Sequence, residues 1–178
     1  MIRGEITGLR AVEIEDLKLM RDWRNIPSFR QNFREFKELN MKNQMDWFDY
    51  VSSSKNDFMF IITRLYDNKP VGVCGLTYIN QIIKSADFSF YIGHKELYID
   101  DKGLAFDSAN LLINYGFKTL NLNKIWMELY EFDVKKINFF TNKFNFKIDG
   151  KLRQNCFHDG KYYDSLMLSM IKSEYDFK

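Results

Sequence analysis

Across residues 103–120 the apolar spacing changes from that of a strand to that of a helix, and this change most narrows the fold. Ala105, Ala109, Leu112, Gly116 and Leu120 share one helical face, with Leu104, Ser108, Leu111 and Tyr115 beside it. Small residues on that face let a helix lie close to a sheet. The flanking segments alternate instead. Residues 85–92 put Asp87, Ser89 and Tyr91 on one side and Phe88, Phe90 and Ile92 on the other. Residues 124–131 likewise separate Trp126, Glu128 and Tyr130 from Ile125, Met127 and Leu129. Strand, helix, strand in this order reads as a β-α-β unit.

Upstream, the chain reads as a short strand at 6–12 and a helix at 15–25 carrying Leu17, Met20 and Trp23, which Pro27 ends. A second helix follows at 40–51 with Met41, Met45, Phe48 and Val51 on one stripe. Segments 58–65 and 71–79 flank Tyr66-Asp67-Asn68-Lys69-Pro70 as a hairpin, and 85–92 completes a meander. A helix at 133–143, capped by Asp133, and strands at 145–154 and 162–170 close the chain. Antiparallel strands first and β-α-β later imply an α+β fold on a mixed, mostly antiparallel sheet of about seven strands with about four helices.

The 178 residues, 46% hydrophobic and 28% charged, suit a single domain over 1–178. With 26 Lys+Arg against 24 Asp+Glu, the formal net charge is +2, which argues against nucleic-acid and polybasic membrane binding. Cys74 and Cys156 lie in no metal-ligand spacing, and with only His94 and His158 a zinc site lacks ligands, so no metal is expected. Cys74, in an apolar strand, reads as a small core residue. Met1-Ile2-Arg3-Gly4-Glu5 has no apolar leader core and no run reaches bilayer length, so a cytoplasmic, unprocessed protein is expected.

Polar residues on a central strand need an explanation. If strands 85–92 and 124–131 are neighbours, Asp87 and Glu128 share a cleft in which a carboxylate with a raised pKa can act as a base. The alternative is a pair of exposed carboxylates on a solvated sheet face. Gly103, where a loop enters a helix, lets backbone N–H groups approach an anion. There, too, a plainer reading stands, with Asp100 or Asp101 simply capping the helix.

Asp100-Asp101-Lys102-Gly103-Leu104-Ala105 is similar to the pyrophosphate loop of the GCN5-related N-acetyltransferases, Gln/Arg-x-x-Gly-x-Gly/Ala. Leu111 to Phe117 and Leu120 to Ile125 follow in that family's order. Asn142-Lys143-Phe144-Asn145-Phe146 stands where its Glu-Lys-x-Gly-Phe falls, and Gly160-Lys161-Tyr162-Tyr163-Asp164 matches its Gly-x-Tyr-x-Asp ending. The chain resembles this family throughout, in particular the branch with ribosomal-protein and amino-sugar acetyltransferases. The resemblance implies the family's twisted sheet and acetyl-CoA as acyl donor. It places the cofactor on Phe90, Tyr91, Ile92, Lys102, Gly103, Leu104, Ala105 and Asn138. Asp100 replaces the Gln/Arg, Val134 replaces the Asn that opens the last helix, and Thr141 stands where a thiolate-protonating Tyr is common.

Acetyl transfer from a thioester to an amine needs the ammonium deprotonated, the oxyanion held and the thiolate protonated. The catalytic expectation is Asp87 or Glu128 as base, with Thr141 the positional candidate for the acid. Segments 23–27, 44–48 and 75–80 resemble those of nucleotide-amino-sugar acetyltransferases, which makes a UDP-linked 4-amino sugar for flagellin or surface glycans the expected acceptor. Trp23, Arg24, Arg30, Trp47 and Tyr78 are its expected contacts, with Arg34 a further cation for a diphosphate. A plainer role for these arginines and aromatics is helix face and core. Two alternatives stand beside this reading: N-terminal acetylation of a ribosomal protein or peptide, and acyl-CoA binding without catalysis. An exposed strand also offers pairing across a two-fold, hence a homodimer.

Overall fold

The computed structural model describes residues 1–100 and 102–175. Eight strands form one sheet: β1 (Ile2–Arg3), β2 (Thr7–Ala11), β3 (Phe58–Arg64), β4 (Lys69–Asn80), β5 (Ser85–Ile92), β6 (Lys124–Tyr130), β7 (Lys147–His158) and β8 (Lys161–Ile171). Their spatial order is β1-β2-β3-β4-β5-β6-β8-β7. Among the described residues only β5 and β6 run parallel, as the β-α-β reading requires. The helices are α1 (Leu17–Asn25), α2 (Pro27–Arg30), α3 (Met41–Ser53), α4 (Leu104–Asn114) and α5 (Val134–Phe144).

The elements beyond those read from sequence are β1 and α2. A two-residue strand shows no periodicity of its own; β1 exists because Ile2 and Arg3 pair with Leu9 and Gly8. Pro27 does stop α1, yet it also opens α2 at the first helical position, where its missing N–H costs nothing.

Helix α4 runs on into a π-helical turn over Tyr115–Thr119. A Cβ on Gly116 would lie 2.8 Å from Ile125 Cδ1 and 3.1 Å from Leu76 Cδ1, so the helix approaches the sheet as the small residues implied. The Asp107 carboxylate fastens the same helix to the amino-terminal strands. It accepts the backbone N–H groups of Glu5, Ile6 and Thr7 at 3.1, 3.0 and 2.7 Å, and the Thr7 hydroxyl at 2.6 Å.

The two faces of β5 point into different surroundings. Phe88 and Phe90 pack on Phe140 of α5, with ring centroids 5.3 and 6.0 Å apart. On the other face Tyr91 meets Trp23, Phe29 and Phe33 at 6.3, 6.1 and 5.4 Å. Among the described residues, no helix is long and apolar enough to cross a membrane.

Candidate active site

Strands β5 and β6 pair over only three residues, Ser85–Asp87 against Lys124–Trp126. Both strands continue, to Ile92 and Tyr130, without further pairing to each other. They part, and backbone groups of β5 that a neighbouring strand would satisfy face a gap instead. The Phe90 carbonyl there accepts the ammonium of Lys136 at 2.7 Å. Ile92, expected to line the cofactor through its backbone, instead exchanges N–H and C=O hydrogen bonds with Tyr98, both 2.8 Å. The Tyr91 carbonyl points to Gly72 of β4, so Phe90 is the residue of this trio whose carbonyl is left for the gap.

Lys136 is 6% exposed. Burial lowers the pKa of its ammonium, while Asp133 and Asp87 oppose that shift. Asp133 caps α5 by accepting the Lys136 backbone N–H at 3.2 Å, and it takes the buried Tyr98 hydroxyl at 2.6 Å. Burial raises the pKa of both Asp133 and Tyr98.

At the outer end of the gap, a cavity of about 600 Å³ is lined by Asp100, Gly103, Phe106, Asn138, Phe139 and Lys143. Gly103, at φ +94°, holds a left-handed turn that a side chain would strain. Asp100 is the cap. Its carboxylate accepts the N–H groups of Lys102, Leu104 and Ala105 at 2.8, 3.1 and 2.5 Å. The expectation that Lys102, Leu104 and Ala105 offer free N–H groups to a pyrophosphate is corrected by these bonds. Lys135 and Lys143, which line the cavity, are the cations left to offset the Asp100 charge. Asp101, the other capping candidate, lies outside the described residues.

The alternation read from sequence holds: Asp87 and Trp126 are register partners, with Glu128 on the same face of β6. Asp87 is 2% exposed rather than solvated, and it forms an ion pair with Arg34. Burial raises the Asp87 pKa and Arg34 opposes the rise; Glu128 adds to it. Glu128 is half-buried and accepts Ser165 Oγ and Asn155 Nδ2, each at 2.7 Å. Thr141 is placed differently from a free acid: its hydroxyl donates to the Ile137 carbonyl one turn back, at 2.9 Å.

On this face a second cavity, about 460 Å³, lies between the sheet and α1 to α3. Arg24, Trp47 and Tyr78 line it as expected. Trp23 and Arg30 do not. Trp23 is 7% exposed and belongs to the core beneath Tyr91, and Arg30 pairs with Glu38. Asp57, which sequence reasoning missed, organises the wall. It accepts the Tyr50 hydroxyl at 2.9 Å, the Ser54 hydroxyl at 2.6 Å and the Tyr78 N–H at 3.0 Å. Tyr78 sits at φ +50° where the β4–β5 register slips, a bulge that aims its ring at the cavity. Arg24 lies with its guanidinium 4.0 Å from the Phe33 ring centre, and its buried Nε has no hydrogen-bond partner among the described residues.

A parted strand pair joins the two cavities, with a buried carboxylate on one side and a buried ammonium on the other. The gap, the Phe90 carbonyl on its edge and the basic cavity beyond suit the long thioester arm and phosphates of acetyl-CoA, and the class so defined is an acyltransferase. The chain belongs to the GNAT acetyltransferases, whose acetyltransferase (GNAT) domain profile matches residues 7–142. It is an acetyl-CoA-dependent N-acetyltransferase. Spermidine N(1)-acetyltransferase of Escherichia coli (strain K12) is 27% identical over 172 residues, covering 94% of this chain and 87% of the relative. The fold is shared with spermidine N-acetyltransferase from Vibrio cholerae in complex with CoA and spermine, at a TM-score of 0.84 and 22% identity, over 94% of this chain and 96% of that one. A dodecameric structure of the Vibrio enzyme matches at 0.79 and 22%, over 95% of each chain.

Proposed function

We propose that the acceptor is a primary amine of a small polyamine. The observation that carries this reading is the likeness to spermidine acetyltransferases over 94% of the chain, acceptor-side helices included. The cavity is compatible with it. Aromatic rings of Trp47, Tyr50 and Tyr78 line the walls, and aromatic faces attract ammonium groups. Asp57 adds a carboxylate whose hydrogen-bond donors among the described residues are neutral.

Bound acetyl-CoA supplies an acetyl group already activated as a thioester. Asp87 takes the proton from the acceptor ammonium, and its burial suits it to that task by raising its proton affinity. Glu128 is the second carboxylate on the same face; through Arg34, which feels both charges, it tunes how readily Asp87 gives up its proton. Lys135 and Lys143 hold the phosphates beside the Gly103 turn, while Asn138 and Phe139 line the path to the gap. Copies of the chain associate, as the dodecamer of the Vibrio relative suggests.

A second reading keeps the acceptor amine but adds an anion to it, as in the nucleotide-linked amino sugar expected from sequence. Arg24 favours it, because its buried Nε lacks a partner inside the acceptor cavity. The relatives named above carry the name of a polyamine acceptor instead. Thiol release from acetyl-CoA, followed with spermidine, spermine, a UDP-4-amino sugar and Ala- or Ser-initiated peptides, separates the readings. Turnover of spermidine supports the polyamine; turnover of the sugar nucleotide or the peptides alone overturns it.

A further inference from the structure

Every acyl transfer from CoA must return a proton to the departing sulfur. Thr141 spends its hydroxyl proton on the Ile137 carbonyl. We infer that Lys136 is the group that receives the CoA thiolate and protonates it. This goes beyond the choice of acceptor, which it does not need, and rests only on acyl transfer.

The placement carries the argument. Lys136 sits in the first turn of α5, yet its side chain runs inward to the Phe90 carbonyl, on the edge of β5 that faces the parted strands. That is the edge along which a thioester arm must lie. A lysine there is unusual, since a buried ammonium with a single carbonyl partner is poorly solvated. Its surroundings are specific as well. Asp133 lies on its own helix; Asp87 faces it from β5; Arg34 and Arg24 face it from the acceptor side; the Tyr98 ring is 5.4 Å from Nζ. Two carboxylates and two guanidiniums leave the charge nearly balanced. Burial then decides, and it lowers the pKa of the ammonium, which makes it a readier proton donor.

The step balances. The acceptor ammonium gives one proton to Asp87, which passes it to solvent; the neutral amine then forms the C–N bond and gives its second proton to Asp87. The C–S bond breaks with its electron pair left on sulfur, and sulfur takes one proton from Lys136 Nζ. The neutral lysine regains a proton from solvent or from Asp87. Arginine in the same place would supply charge but no proton, because its pKa lies above about 12.

The first test needs neither acceptor nor turnover. CoA bound to the intact protein is titrated by thiolate absorbance and compared with free CoA. The bound thiol is expected to ionise at a pH about one unit lower, a roughly tenfold preference for thiolate. In the same protein the affinity advantage of CoA over S-methyl-CoA is expected to rise with pH, a result that requires no variant to fold. Lys136→Met should abolish the thiol shift and lower kcat about 100-fold while leaving CoA affinity within about threefold. Lys136→Arg should keep the thiol shift and still lose turnover. A bound thiol that titrates like free CoA overturns the inference, as does Lys136→Met losing affinity and turnover together, or Lys136→Arg turning over like the unaltered enzyme.

Discussion

Replacing Asp87 by Asn removes the proposed base while keeping its shape, and the structure sets both the stability and the rate effects. The Asp87 side chain is 3% exposed and that of Arg34 46%. Deleting one partner of a fully buried pair costs about 3–5 kcal/mol, and of an exposed pair about 0–1 kcal/mol. Arg34 keeps access to water, so the loss for Asp87→Asn falls at about 1–2 kcal/mol. For a chain of this length that lowers Tm by about 2–8 °C. The rate effect is larger, since general-base catalysis contributes about 10²–10⁴-fold. Initial rates of thiol release at saturating acetyl-CoA, measured across pH, read it. In the unaltered enzyme the acid limb should lie above the ordinary carboxyl range, because burial raises the Asp87 pKa. In Asp87→Asn kcat/KM should fall at least about 100-fold and that limb should disappear. The same raised pKa favours the protonated, folded form, so Asp87 contributes stability at low pH that is lost as pH rises through it. Rates within about threefold of the unaltered enzyme, with Glu128→Gln inactive, would refute the assignment and move the base to Glu128.

The other expectations are local. Gly116→Val drives a branched side chain into Ile125 and Leu76, and should cost about 1–3 kcal/mol in denaturant unfolding. Asp107→Ala strips the N–H groups of Glu5, Ile6 and Thr7 of their acceptor and should cost about 2 kcal/mol, with hydrogen exchange fastest in β1 and β2. Burial pushes the Asp107 pKa up, but its bonds to Thr7, Ile6 and Glu5 outweigh that and leave it lowered. Its contribution to stability is therefore complete above about pH 4 and lost as pH falls through the lowered value, which acid unfolding of Asp107→Asn beside the unaltered protein would show. Gly103→Ala strains a φ of +94° at the cofactor loop, and should cut the thermal stabilisation given by acetyl-CoA more than it lowers Tm itself. Arg24→Gln should leave spermidine turnover within about threefold; a much larger loss would favour the anion-bearing acceptor.

What could be read in advance was whatever rests on periodicity. The alternation in 85–92 and 124–131 put Asp87 and Glu128 on one face, and register pairs Asp87 with Trp126 there. The small-residue face of α4 meant close packing, which Gly116 shows. Hidden from view was anything fixed by contacts distant in sequence. Arg34 pairs with a residue 53 positions away, and no local pattern links them. Trp23 and Trp47 look alike as aromatics on amphipathic helices, but one is core and the other cavity wall. Lys136 reads as a surface lysine near a helix start, and only the parted strands reveal where its ammonium goes. Asp100 was legible as a candidate cap, but that its carboxylate takes three backbone donors of the loop depends on the turn at Gly103.

The most direct test incubates the purified protein with acetyl-CoA carrying a labelled acetyl group and with spermidine, then separates the products by mass. Expected is monoacetylated spermidine in equal amount to the CoA thiol released, with both products strongly reduced in Asp87→Asn. Label that stays on CoA in the presence of spermidine and spermine, while a sugar nucleotide or a peptide becomes labelled, would contradict the polyamine assignment.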